Sequence, residues 1–310
     1  MPHPAAANPR RRLLLQAAGA AALLAAMTEA RSAPAGLITR PIPRSGERLP
    51  AIGLGTYQVF DTPVGDLART GLQAVLRRFI ELGGRVVDSS PMYGHAEAAT
   101  GALSTALNAR AALFLATKVW TSGRAEGIRQ MEQSARLLRT EVIDLMQVHN
   151  LLDLKIHLPV LRDWKKTGRI RYLGITHYHA GAHTELEKLV KTGDFDFLQI
   201  NYSLDEPEAG TRLLPACADS GTATIINRPF SQAALFGKVR GRPLPPWCAE
   251  FDCASWAQYF LKWIISHPAV TCAIPGTGHV RHIEDNMAAC TGRLPDAAAR
   301  KKMAEYLARS

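Results

Sequence analysis

AIGLGTYQ, residues 51–58, is the stretch on which the fold turns. Ala51 to Gly55 form a short apolar run that stops at a threonine and a tyrosine, as a buried strand does where it reaches solvent. A strand followed at once by glycines could open a doubly wound dinucleotide-binding sheet. That fold needs G-x-G-x-x-G ahead of its first helix, and GLGTYQ, residues 53–58, lacks the pattern. The strand therefore opens a different α/β architecture.

Working outward, seven more short apolar runs follow: RVVDSS (85–90), LFLATKVW (113–120), VIDLMQVH (142–149), IRYLGITH (170–177), FDFLQINY (195–202), ATIINRPF (223–230) and VTCAIPG (270–276). Between them lie helix-like stretches such as 64–83, 125–140 and 181–193, with Leu72, Val75, Leu76 and Phe79 at helical spacing. Gly83, Gly168 and Gly193 end several of them, as left-handed caps require. Alternating strands and helices make parallel sheets with crossover helices. Eight such units in roughly 225 residues close most simply as a (β/α)8 TIM barrel. Residues 37–53 read as an N-terminal β-hairpin able to plug the barrel floor, and 295–310 as a C-terminal helix. Residues 36–310 are expected to form one barrel with no internal boundary.

Residues 1–35 have a different character. Arg10, Arg11 and Arg12 precede a leucine- and alanine-rich run, and Ala33-Pro34-Ala35 is a small-x-small site before Gly36. This is the layout of a twin-arginine-type signal peptide, cleaved after Ala35. It implies a partner in the twin-arginine export machinery and a periplasmic location, or a membrane tether if the signal is retained. The apolar run is short for a membrane span. Net charge is +10, of which residues 36–310 keep +7. Their basic residues are spread out, with no dense run interleaved with aromatics, so no nucleic-acid partner is expected. Five cysteines, Cys217, Cys248, Cys253, Cys272 and Cys290, have no regular spacing and read as small buried hydrophobes; Cys248 and Cys253 alone are close enough in sequence to pair.

In a TIM barrel, function gathers at the C-terminal ends of the strands. There the sequence places Asp88 with Tyr93 just beyond, Lys118, His149, and Gln199 through Asn201 to Tyr202. Taken singly, each could be structural: Asp88–Lys118 an ion pair, His149 a satisfied core histidine. Together they form a proton-transfer set. An ammonium beside a tyrosine lowers a pKa that is otherwise near 10, a carboxylate fixes the ammonium, and an imidazole can hydrogen-bond a carbonyl oxygen. The set contains no nucleophile and no metal site, so another agent must supply electrons.

GLGTYQ (53–58), VVDSSPMYGHAE (86–97), ATKVW (116–120), IDLMQVH (143–149), LGIT (173–176), LQINYS (198–203) and IPGTGHVRHIEDN (274–286) resemble, in order and spacing, the aldo-keto reductases. The resemblance implies a barrel that transfers hydride from NADPH to an aldehyde or ketone. It places the family's catalytic tetrad on Asp88, Tyr93, Lys118 and His149, with Tyr93 as general acid. It implies that Gly55 and Thr56 line the nicotinamide end, that Gln199 bonds the carboxamide and that Tyr202 stacks on the ring. Arg228, Pro229, Phe230 and Ser231 would hold the pyrophosphate. Gly276, Thr277, Arg281, Asp285 and Asn286 would meet the adenosine phosphate and adenine. Two departures stand out. Thr176-His177 replaces the family's Ser-Asn, so a carboxamide contact must be remade or lost. Gly276 lacks the usual basic side chain, which leaves Arg281 as partner for a 2′-phosphate and NADH not excluded.

The remaining signals are weaker. Phe60, Met92 and Trp120 follow barrel strands and could wall a substrate pocket or simply pack. His177, His179 and His183 cluster in sequence without acidic or cysteine partners and read as a solvated loop, not a metal site. The expected partner is a small-molecule carbonyl and the expected state a monomer. A different reading keeps NADP(H) on the same fold as a redox sensor or regulatory subunit, which need not retain Tyr93 and His149.

Overall fold

The computed structural model describes residues 36–309. The expected signal peptide lies outside the described residues. Two strands, β1 (Thr39–Pro41) and β2 (Arg48–Pro50), pair antiparallel with Thr39 opposite Pro50 and Pro41 opposite Arg48. Eight parallel strands follow: β3 (Leu54–Gly55), β4 (Val86–Asp88), β5 (Phe114–Val119), β6 (Ile143–His149), β7 (Ile170–Thr176), β8 (Phe197–Asn201), β9 (Ala223–Asn227) and β10 (Cys272–Ala273). Each pairs with its neighbour in sequence. Bridges from Ile52 to Ala273 and from Gly55 to Gly276 join the first strand to the last and close the barrel. All eight strands fall within the apolar runs read from the sequence.

The helices are α1 (Leu72–Glu81), α2 (Ala96–Ala106), α3 (Arg124–Leu137), α4 (Leu154–Lys166), α5 (His183–Val190), α6 (Leu213–Asp219), α7 (Ala234–Lys238), α8 (Trp256–Ile265), α9 (Val280–Ala288) and α10 (Ala297–Ala308). Gly83, Gly168 and Gly193 do cap helices, at φ +85°, +76° and +77°. The single helix expected over 64–83 is two: a 3-10 segment Val64–Arg69 ends at Thr70, and α1 starts after Gly71. Thr70 is extended and its hydroxyl donates to the Leu67 carbonyl, which stops the first turn. Among the described residues, no helix is long and apolar enough to cross a membrane.

The hairpin plugs the floor as expected. Ile42 and Leu49 pack with Val86, Phe114, Leu145, Tyr172, Phe197, Ile225 and Cys272 in a buried cluster inside the strands. Glu47 on the hairpin turn pairs with Arg171, and the Tyr172 hydroxyl lies 2.9 Å from the same carboxylate. Side chains alternate along every strand, so the residues two positions on from this apolar layer also point inward. That simple period lifts Asp88, Lys118, Gln147, Thr176 and Gln199 into one polar tier, and His149, Asn201 and Asn227 into the next, at the mouth. The outward-facing residues, such as Val87, Val119, Met146 and Ile200, pack under the helices.

Candidate active site

Lys118 is fully buried, and its ammonium donates to Asp88 Oδ2 at 2.7 Å and to the Ser89 carbonyl at 2.6 Å. Asp88 Oδ1 accepts from Gln199 Nε2 at 2.7 Å and, more loosely, from Gln147 Nε2 at 3.4 Å. Burial alone would lower the Lys118 pKa, but the charges and hydrogen bonds of Asp88 and Tyr93 outweigh it and the pKa is raised. The ammonium lies 5.0 Å from the Tyr93 ring centroid.

Tyr93 is half-buried. The sequence argument expected Lys118 to lower its pKa; instead burial raises it above 10, with Lys118 only partly opposing that effect. Desolvating a phenolate costs more than the ammonium returns, because the ammonium is already neutralised by Asp88. The phenol is therefore protonated throughout the neutral range, as a proton donor must be.

His149 faces Tyr93 edge-on, with ring centroids 6.3 Å apart. Burial first, then the charges of Lys118 and His177, hold its pKa at about 3. It is a neutral imidazole at working pH. Ser90 Oγ sits 3.2 Å from Nδ1 and already accepts from the Met92 N–H, so its own proton is available to Nδ1. With Ser90 donating to Nδ1, the ring proton sits on Nε2 and can donate toward the mouth; with the roles reversed it sits on Nδ1. This depressed pKa has a sign that can be checked. Unfolded chains take up a proton at His149 as pH falls through about 6.5, whereas the folded protein does not until about 3. Stability from this residue is complete above about 6.5 and is lost as pH falls toward 3. Urea midpoints should therefore fall over that window, and His149→Gln should flatten the slope; an unchanged slope would mean that His149 is charged in the fold.

The rim is aromatic. Trp120 is exposed, its ring 6.1 Å from that of His149, and its backbone is held at both ends by Gln130, which accepts from its N–H at 2.6 Å and donates to its carbonyl at 3.1 Å. Met92 is also exposed. Tyr57, exposed as well, leans on Tyr93 with ring centroids 5.0 Å apart. Phe60 is not part of the wall. The turn that returns its N–H to the Thr56 carbonyl at 3.0 Å drives the ring into the core, where it is fully buried.

Several expected cofactor residues are placed otherwise. Tyr202 follows the inward Asn201 and so points outward. Its ring stacks on Trp263 at 4.8 Å and its hydroxyl accepts from Arg300 of α10 at 2.6 Å, which removes it from any nicotinamide ring. Thr56 is buried, its hydroxyl donating to the Asp88 carbonyl at 2.9 Å, and Gly55 is buried in the barrel seam opposite Gly276. Gln199 is committed beneath the mouth, donating to Asp88 and accepting from Thr176 Oγ1 at 3.1 Å. His177 Nδ1 accepts from the Tyr178 N–H. Asp285 spends both oxygens on the start of α8, accepting from Ser255 Oγ at 2.8 Å and Gln258 Nε2 at 2.7 Å. Asn286 and Thr277 are buried. The Phe230 ring packs against Phe236 and Phe260. All five cysteines are buried free thiols.

Three further features lie around the C-terminal ends of the strands. Arg228 has positive φ, and so do Ser231, Gln232 and Ala233 in succession. Three consecutive non-glycine residues in that region store strain beside the mouth. Arg281 and His282 are exposed on the first turn of α9, beside the equally exposed cap residue His279. Among the described residues, Asn201 Nδ2, Asn227 Oδ1 and Arg228 Nε are buried without hydrogen-bond partners.

Comparison with known proteins places this geometry. A model of the aldo/keto reductase family matches residues 51–302. The methylglyoxal reductase YeaE of Escherichia coli (strain K12) is 30% identical over 260 residues, covering 80% of this chain and 88% of that protein. The NADH-specific methylglyoxal reductase of the same organism is 23% identical over 327 residues, covering 87% and 99%. An aldo/keto reductase from Klebsiella pneumoniae, solved in complex with NADP and acetate, superposes with a TM-score of 0.70 at 25% identity, covering 84% of this chain and 93% of that one.

Proposed function

Because the chain belongs to the aldo/keto reductase family, we propose that it reduces the carbonyl of an aldehyde or ketone using NADPH, with Tyr93 as the proton donor. The observation that carries the reading is a protonated Tyr93 set between a buried Lys118–Asp88 pair and a neutral His149. The nicotinamide cofactor, when bound, supplies the hydride. Every remaining requirement falls to this chain's side chains. His149 Nε2–H holds the carbonyl oxygen, and the Tyr93 hydroxyl delivers a proton to it as negative charge develops. Lys118 compensates the phenolate left behind, and Asp88 keeps Lys118 in place. Trp120, Met92 and Tyr57 form the apolar rim that limits water at the reacting oxygen.

The test is the loss of reduced-nicotinamide absorbance with purified protein against a panel of carbonyls. Methylglyoxal belongs in that panel because two relatives are methylglyoxal reductases. Turnover of no panel member above the no-enzyme rate would sink the reading.

Preference for the 2′-phosphate is assigned to Arg281. A guanidinium on an oxygen of a phosphate is a charge-assisted contact. Arg281→Ala should weaken NADPH about tenfold or more and leave NADH within about twofold. Equal weakening of both, measured by cofactor fluorescence titration, would place the phosphate elsewhere.

A further inference from the structure

The ring of Trp120 is exposed, yet the chain that carries it is pinned at three places between the end of β5 and the start of α3. Gln130 of α3 holds both the N–H and the carbonyl of Trp120. One residue on, the Thr121 carbonyl lies 2.8 Å from His157 Nε2 of α4. At the end of the loop the Gly123 N–H donates to Asp153 Oδ2 at 2.8 Å. A carbonyl can only accept, so His157 carries its ring proton on Nε2 and donates it to Thr121. The His157 ring is fully buried, and its Nδ1 has no hydrogen-bond partner.

Two features that are otherwise unfavourable make this arrangement fit. Gly127, a poor helix former, sits at a buried position in the first turn of α3. A Cβ there would stand 2.4 Å from His157 Cε1 and 2.6 Å from Nδ1, so a larger residue would push the ring and its bond to Thr121 aside. On the other side, the chain leaving His149 takes Asn150, Leu151 and Asp153 through φ of 53°, 58° and 48°. Non-glycine residues adopt that region at a cost. The turn sets Asp153 at the head of α4, and His157 follows four residues later on the same helix face, its N–H bonded to the Asp153 carbonyl. The segment after His149 thus braces the segment that carries Trp120, and the two rings stand 6.1 Å apart.

We infer that His157 is a positioning residue for Trp120. It holds the Thr121 carbonyl from behind, keeps the Trp120 ring beside His149 and so fixes the wall against which a substrate carbonyl is oriented. This rests on the functional reading above. Gly127 belongs to the same device, as the gap that admits the His157 ring. An aromatic side chain on a free loop spends only part of its time in the binding position, and apparent substrate affinity falls by that fraction. The brace therefore acts on KM, while the proton-transfer groups Tyr93, Lys118 and Asp88 are left as they are.

His157→Ala should raise KM for carbonyl substrates about fivefold or more and keep kcat within about threefold. His157→Gln offers an amide N–H near the place of Nε2 and should return KM to within about twofold of wild type. Gly127→Ala removes no polar group, yet should raise KM as His157→Ala does; added to His157→Ala, it should change KM no further. Trp120 itself is read by 19F NMR of protein labelled with 6-fluorotryptophan, its line among the five tryptophans identified by loss in Trp120→Phe. Wild type and His157→Gln should share one narrow line, which shifts or broadens in His157→Ala and Gly127→Ala. The inference is overturned if His157→Ala or Gly127→Ala lowers stability while KM and the Trp120 line stay at wild-type values, or if His157→Gln restores neither. Should His157→Ala not fold, Gly127→Ala, with the better helix former, carries both measurements. A wild type that turns over no carbonyl refutes the functional reading and this inference with it; unchanged variants of an active protein refute this inference alone.

Discussion

Tyr93→Phe is expected to lower kcat for carbonyl reduction by about a thousandfold, with cofactor affinity within about twofold of wild type. General acid catalysis contributes typically 10²–10⁴-fold, and the substitution removes the donated proton while keeping the ring that packs on Tyr57. No acid replaces it. His149, at a pKa of about 3, is neutral and already engaged as hydrogen-bond donor, and Lys118 is buried behind the ring. Lys118 also loses a hydrogen-bond acceptor, so a small fall in thermal midpoint should accompany the change. Stopped-flow reduction with the cofactor in excess separates chemistry from product release. A variant within about tenfold of wild type in that single turnover would show that the proton reaches the substrate by another route.

The second large effect is on stability. Asp88→Asn leaves the fully buried Lys118 ammonium without a counter-charge, beside neutral oxygens such as the Ser89 carbonyl and the Tyr93 hydroxyl, and takes one acceptor from the pair Gln199 and Gln147. Breaking a buried ion pair from one side costs about 3–5 kcal/mol. In a chain of this size that is roughly a 10 °C fall in Tm. The double variant Asp88→Asn/Lys118→Met removes the stranded charge and should recover much of the lost stability, while activity stays low. That split separates the pair's two jobs, since a purely structural pair would restore both together and a purely catalytic one would show no stability loss in the single variant. Chemical unfolding and kcat on the same preparations decide it.

Much of this site is legible without coordinates because a barrel strand is a simple ruler. Once VVD, LFLATKV and DLMQVH are read as neighbouring strands, Asp88, Lys118 and His149 must meet at one end, and they do. The same ruler condemns Tyr202. If Gln199 points inward so does Asn201, and the next residue cannot, so counting by twos turns Tyr202 outward. Other misplacements have no local signal. Asp285 is claimed by Ser255 and Gln258 from a helix thirty residues earlier, and nothing near HIEDN announces that contract. Phe60 is withdrawn by a single turn over residues 56–60, where loop geometry outweighs the strand period. Tyr57 and Ser90 stood inside stretches already in view, GLGTYQ and VVDSSPMY, and were passed over because a strand end draws attention to charge before hydroxyls. Gln130 is different. Its clamp on Trp120 joins a helix face to a loop, and an exposed glutamine on a helix carries no mark of that task.

The barrel's closure is among its thinner joins. β3 and β10 are two residues each, and they meet through isolated bridges at Ile52–Ala273 and Gly55–Gly276 where other neighbours share as many as six register pairs. A Cβ on Gly55 would stand 2.8 Å from the Ile274 carbonyl, so the two edges touch backbone to backbone with no side chain between them. A hoop fails where its ends are fastened, and here the fastening lies at the lip where the proposed nucleotide passes. A cofactor laid across the exposed edge of this seam at Gly276 would work as a rivet. Binding across that line would raise the barrel's stability by mass action, and the reductant would become a structural member of the wall it reacts beside.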